Sequence, residues 1–258
     1  MSDLQVMNSD DDGDFQPLWF AKFFSHIETI PPRKIVKYSD AQMAPRIRVG
    51  SLRFGSLVSY RTGEQARFKD ADEGNMSLVI NTNGIFRGGI IHPTLTAAPG
   101  MPVSLENVWL AEDIAANVLC VTSGSYSRKH HRRMIAINPD LTHYTEFAFD
   151  KLFVALAACF DGMPFHKGDR ALLARRVIYG ERSRKADLGD GRELYIYGDM
   201  ERLKHEMITT YTKPKAFEHE SELRFVLRNT PPECLDAKGA LIVQSPAIVE
   251  AISGMGTI

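Results

Sequence analysis

Between residues 217 and 225 the chain reads Phe-Glu-His-Glu-Ser-Glu-Leu-Arg-Phe, and Val226 and Leu227 extend it. The run predicts a β-strand whose alternation puts Glu218, Glu220, Glu222 and Arg224 on one face. Phe217, His219, Ser221, Leu223 and Phe225 take the other. The apolar neighbours mark an inner strand. Carboxylates grouped there must be ion-paired, line a wet cleft or have raised pKa values. A wet cleft or a raised pKa suits an acid–base site. The competing reading is an ion-paired ladder on a half-exposed sheet.

Two other windows carry chemistry-bearing residues. Tyr60, Arg61, Glu64, Arg67, Asp70, Asp72, Glu73 and Gly74 form a mixed-charge stretch with the composition of a solvated loop. Cys120-Val-Thr-Ser-Gly-Ser-Tyr-Ser then ends a buried strand in hydroxyls, and Arg128, Lys129, Arg132 and Arg133 follow as the most basic window of the chain. That window reads as a flexible basic loop or as a phosphate or nucleic-acid contact. His130 and His131 are adjacent, a poor spacing for a shared metal ion, so no metal site is expected. A dinucleotide-binding glycine fingerprint, a Walker A loop, an HExxH helix and a GxSxG elbow are all absent.

The elements that must position these residues are short strands with helices between them. Ile35–Tyr38 and Leu52–Phe54 read as early strands, with a helical or turn segment between. Asn83-Gly84 has the makings of a tight hairpin turn. Asp190-Gly191 suggests a second one. "NVLCVTSGSYS" reads as a strand, and "DKLFVALAACF" and "DMERLKHEMITTYT" read as helices. "GALIVQSPAIVEAI" reads as a last strand and a short helix. An aromatic-rich helix is expected from residue 17, after an acidic, disordered leader over residues 1–16. No regular βαβ alternation is present. These features predict a single α+β domain over residues 17–258, with a bent or split, mainly antiparallel sheet and inserted helices.

Composition sets the remaining bounds. The chain has 258 residues, with 31 basic against 32 acidic side chains, so no global field calls for nucleic acid or membrane. The three cysteines are far apart and form no CxxC pair, which suits a reduced, cytoplasmic protein. The acidic amino terminus lacks the basic and apolar regions of a signal peptide, and no apolar run is long enough to span a bilayer.

"IVKYSD", "GSLRFGSLVSYR", "RFKDADEG" and "TKPKAFEHESELRFVL" together resemble a large, poorly characterised family of bacterial proteins. Its signature is Lys, then Phe-x-x-Glu-x-Glu-x-Arg, matched here by Lys213, Phe217, Glu220, Glu222 and Arg224. Lys37, Tyr38, Leu52, Arg53 and Phe54 match its early landmarks, and the likeness covers roughly residues 34–255. Where that family often has Asn-Asp-Pro-Phe-Glu, this chain has Tyr60-Arg-Thr-Gly-Glu64. The family's layout is similar to the ADP-ribosyltransferase fold of toxins and phage-defence proteins.

That similarity implies NAD as the substrate, with Glu222 and Glu220 as catalytic residues. Breaking the nicotinamide–ribose bond passes through an oxocarbenium-like state. One carboxylate can stabilise it and the other can activate the acceptor. On a strand the two would stand about 6–7 Å apart at the backbone. The similarity further implies Lys37 and Arg53 for the pyrophosphate, Tyr38 or Tyr60 for ring stacking, and Ser123 and Ser125 for the pocket wall. Arg128, Lys129, Arg132 and Arg133 would meet a nucleic-acid acceptor, and an antitoxin or chaperone is an expected partner. Two alternatives remain open. One is a metal-dependent nuclease using Asp70, Asp72, Glu73, Glu220 and Glu222. The other is a non-catalytic interaction module in which the glutamates pair only with Lys213 and Arg224.

Overall fold

The computed structural model describes residues 31–62, 75–85, 90–92, 95–96, 102–114, 116–161, 163–164, 172–180, 184–187, 209–228 and 230–258. In chain order these form β1 (Lys34–Ser39), α1 (Met43–Arg48), β2 (Ser51–Ser56), α2 (Leu57–Thr62), β3 (Asn75–Ile85), β4 (Ile90–His92), β5 (Leu95–Thr96) and β6 (Pro102–Asp113). Next come β7 (Ala116–Ser123), α3 (Arg128–Ile137), β8 (His143–Ala148) and α4 (Phe149–Asp161). The remainder is β9 (Leu172–Arg176), β10 (Ile178–Tyr179), β11 (Arg184–Asp187), β12 (Thr212–Lys213), β13 (Glu222–Arg228), β14 (Leu241–Gln244), α5 (Pro246–Glu250) and β15 (Ile252–Thr257). The acidic leader, the expected aromatic helix, Asp190-Gly191 and most of the expected helix from Asp199 lie outside the described residues.

Eight antiparallel strands make the main sheet in the order β14-β2-β7-β1-β8-β15, with β13 on the other edge of β7 and β9 beyond it. The expected α+β body with a mainly antiparallel sheet is therefore present. Strand β7 carries three partners. Its outer edge runs the full length of β13, from Thr122 opposite Glu222 to Ala116 opposite Arg228. Its inner edge is divided: Val36 and Ile35 of β1 pair with Thr122 and Ser123, while Gly55 and Ser56 of β2 pair with Val118 and Asn117. The sheet splits between these two contacts.

Side-chain alternation sends each strand's apolar residues to a definite face. Ile35, Phe54, Leu119, Val121, Phe147, Leu223, Phe225 and Leu227 share one core with Leu152, Leu156 and Phe160 of α4. Phe149 stacks on Phe225 at 5.7 Å, and Phe160 meets Phe54 edge-on at 5.5 Å. The opposite face carries smaller clusters: Leu57, Val118, Tyr211 and Val226 under α2, and Val36, Tyr38 and Met134 under α3. β13 is buried on both faces, as expected of an inner strand.

Three expectations need correction. Asn83-Gly84 is not a turn: both residues lie inside β3 and pair with Ser104 and Val103 of β6, because a long ladder overrides a two-residue turn preference. The basic window is no loop but helix α3, capped by the Ser127 hydroxyl, which accepts the His130 N–H. Residues 217–225 are not one strand. Lys215–Glu220 is a 3₁₀ helix, Ser221 turns left-handed at φ 48°, and β13 begins only at Glu222. Pro214 at the N-cap starts that helix, and the left-handed residue ends it.

No helix among the described residues is long and apolar enough to cross a membrane. The three cysteines are free thiols.

Candidate active site

The 3₁₀ turn and the left-handed Ser221 bring Glu220 and Glu222 onto one cation. Lys213 Nζ donates to Glu220 Oε2 at 2.6 Å and to Glu222 Oε2 at 2.9 Å. Arg224 Nε donates to Glu222 Oε1 at 2.6 Å, and its Nη1 donates to the Thr210 carbonyl. All four side chains are buried: Arg224 is 1% exposed, Glu222 4%, Lys213 7% and Glu220 8%. Lys213 also lies 4.7 Å over the Phe217 ring.

Two cations and two carboxylates this close cannot titrate independently. Burial drives the Glu220 carboxyl up to about 7, against the attraction of Lys213 and with the neighbouring Glu222 adding to it. Burial alone would raise Glu222 too, but Arg224 and Lys213 overcome it and hold that carboxyl well below the usual range. The two carboxyls lie within hydrogen-bonding reach of each other. Glu222 therefore stays ionised while Glu220 takes up a proton as pH falls through about 7. Burial would likewise lower Lys213, yet Glu222 and Glu220 keep it charged.

The backbone under this pair is anchored from several sides. The Ser123 N–H donates to the Ser221 carbonyl at 2.9 Å, and Thr122 Oγ1 to the Glu220 carbonyl at 3.2 Å. The Glu222 N–H donates to the Tyr179 hydroxyl at 2.7 Å. Tyr179 arrives through the parallel pairing of β10 with β12, which sets it opposite Lys213. Burial, with Glu222 and Glu220 adding to it, pushes its phenol up to about 12, so it stays neutral.

Several expected residues border this centre. Lys37 Nζ reaches across the split of the sheet and donates to the Cys120 carbonyl at 2.8 Å, where β7 has neither β1 nor β2 beside it. Tyr60 of α2 is half-buried beside Cys120, Glu222 and Arg53, and desolvation first, then Cys120 and Glu222, raise its phenol far above the ordinary value. Ser123 belongs to the site through its backbone. Ser125 is exposed in the turn after β7.

Tyr38 packs instead against α3, stacked on His130 at 5.6 Å and tilted against His131 at 4.6 Å. Asp70, Asp72 and Glu73 lie outside the described residues. Among the described residues no group of three or more His, Cys, Asp or Glu side chains is placed to hold a metal ion.

Sequence reasoning missed Tyr179. Its only signal would have been that buried backbone N–H groups need acceptors. Lys213 was legible both in the signature and as a partner of the glutamates, the pairing that the non-catalytic alternative expects.

Set beside known protein families, curated proteins and solved structures, the chain has no match in any of the three.

Proposed function

We propose that this protein is an NAD-consuming ADP-ribosyltransferase built on an ADP-ribosyltransferase-like sheet, acting on a nucleic acid or protein acceptor. The observation that supports the reading is the buried carboxyl pair, Glu220 and Glu222, joined by Lys213, at the start of the strand that lies across β7 from the split of the sheet. Glu222 is the ionised member. Its Oε1 accepts from Arg224 and its Oε2 from Lys213, and with Glu220 as a third partner one lone pair is left for a ribose hydroxyl. A fixed negative charge there stabilises the positive charge developing on the ribose as the bond to nicotinamide breaks. Nicotinamide leaves with the bonding electrons as a neutral amide. The acceptor's lone pair then bonds to the ribose C1′, and its proton passes to Glu220, which is a competent base once ionised. Lys37 and Arg53, on the two strands flanking the split, offer positive charge for the pyrophosphate.

A second reading has its own support. Both Glu222 oxygens are ion-paired and the residue is almost wholly buried, as in a structural ion-pair network of a non-catalytic module. Glu220→Gln separates the two. Glutamine mimics the protonated acid, so the variant keeps the fold. With labelled NAD and cell lysate as acceptor source, the wild type releases nicotinamide and Glu220→Gln loses acceptor labelling by at least about a hundredfold. If the wild type neither binds nor consumes NAD, the transferase reading fails and the structural one stands.

A further inference from the structure

Helix α3 opposes elementary helix electrostatics. Arg128, Lys129, Arg132 and Arg133 crowd its first turn and a half, and its first turn contains no acid. Cations at this end oppose the helix dipole. Arg128 with Arg132, and Lys129 with Arg133, are like-charged pairs at i,i+4, each of which costs helix stability. All four side chains are exposed, and among the described residues none has an acidic partner. The opposite side of the helix is fixed in place. His131 is fully buried and its Nε2–H donates to the Leu141 carbonyl at 2.7 Å, which leaves Nδ1 to accept from the Tyr126 hydroxyl. The charged face is thus held outward by a rigid packed face, at a cost that folding alone does not explain.

The patch also lies beside the carboxyl pair. Ser123, whose N–H holds the Ser221 carbonyl between the two glutamates, precedes the Ser127 cap of α3 by a short turn. Burial first, then Arg133 and His219, lower the His130 pKa, so His219, the residue before Glu220, is within electrostatic reach of α3. We propose that the exposed face of α3 docks a single-stranded nucleic acid, with its phosphates on Arg128, Lys129, Arg132 and Arg133 and an unpaired nucleotide presented to Glu220 and Glu222. The docking stands on the charge pattern; the presentation to the glutamates rests on the transferase reading. A single strand fits because Glu220 is recessed, and a base stacked in a duplex cannot reach a recessed group.

The test is fluorescence anisotropy of the full chain with labelled DNA and RNA oligonucleotides of about twelve nucleotides, at about 50 and 200 mM salt. The comparison ligands are a duplex of the same length, a polyglutamate peptide and phosphatidylserine vesicles. Four phosphate contacts give a log K against log salt slope of about −3 on a single strand. Arg132→Gln/Arg133→Gln halves that slope and weakens binding at least about tenfold, with thermal stability unchanged or raised. No binding at the lower salt, or equal binding by the variant, overturns the proposal. So does a duplex, peptide or vesicle that binds as tightly as the single strand. Oligonucleotide binding without NAD consumption leaves the docking intact and removes the transferase chemistry. NAD cleavage without oligonucleotide binding does the reverse.

Discussion

At the scale of single residues, the site is a contest between burial and pairing that Glu220 and Glu222 resolve in opposite directions. Glu220 holds its proton more tightly in the folded chain, up to about 7. Its contribution to stability is therefore complete below the ordinary carboxylate range and is lost as pH rises towards 7 and beyond. Glu222 runs the other way, contributing above the ordinary range and losing that contribution as pH falls through its depressed value. Urea unfolding from pH 5 to 8 should accordingly show the wild type losing roughly 1–3 kcal/mol relative to Glu220→Gln. Identical pH profiles for the two proteins would remove the raised pKa. If Glu220 is the base, NAD-dependent labelling by the wild type also rises with pH through about 7. Tyr179 makes a separate prediction: its phenylalanine variant orphans the Glu222 N–H and costs about 1–3 kcal/mol in the same assay.

At the scale of elements, the decisive piece is the change of backbone between Glu220 and Glu222. Ser221 at φ 48° is in a conformation that side chains branched at Cβ resist. Ser221→Val should cost about 1–2 kcal/mol, and Ser221→Gly should be close to neutral, as read by thermal denaturation. Equal losses in both would mean that the turn is not under conformational constraint. This is where sequence reading reached its limit. Leu223, Phe225 and Leu227 alternate with Glu222, Arg224 and Val226, so the strand and its two faces were legible from residue 222 onward. The residues before it also alternate, and only Pro214 hinted that a helical turn would take them. The two acids do converge, on Lys213 and through the turn at Ser221 rather than through strand alternation. Alternation sends Lys37 and Tyr38 to opposite faces of β1, and Tyr38 is taken up by the rings of His130 and His131.

At the scale of the whole molecule, α4 was plain in the density of its alanines and large apolar residues, and the antiparallel sheet in its alternating short strands. The partnership of β7 with three strands was not legible, because it joins residues far apart in the chain. Every route from β13 and β9 to the rest of the main sheet passes through β7. A chain stopped just before Glu222 should therefore leave the outer edge of β7 bare and sediment as aggregate, whereas one stopped after the last strand should not. Recovery of the shorter chain as a monomer would show that β13 is dispensable. The same topology sets a timetable for synthesis. Thr122 meets its outer partner only when Glu222 leaves the ribosome, roughly a hundred residues later. For that interval an apolar strand waits half-paired, so the chain's exposure to chaperones is written into the order of its strands.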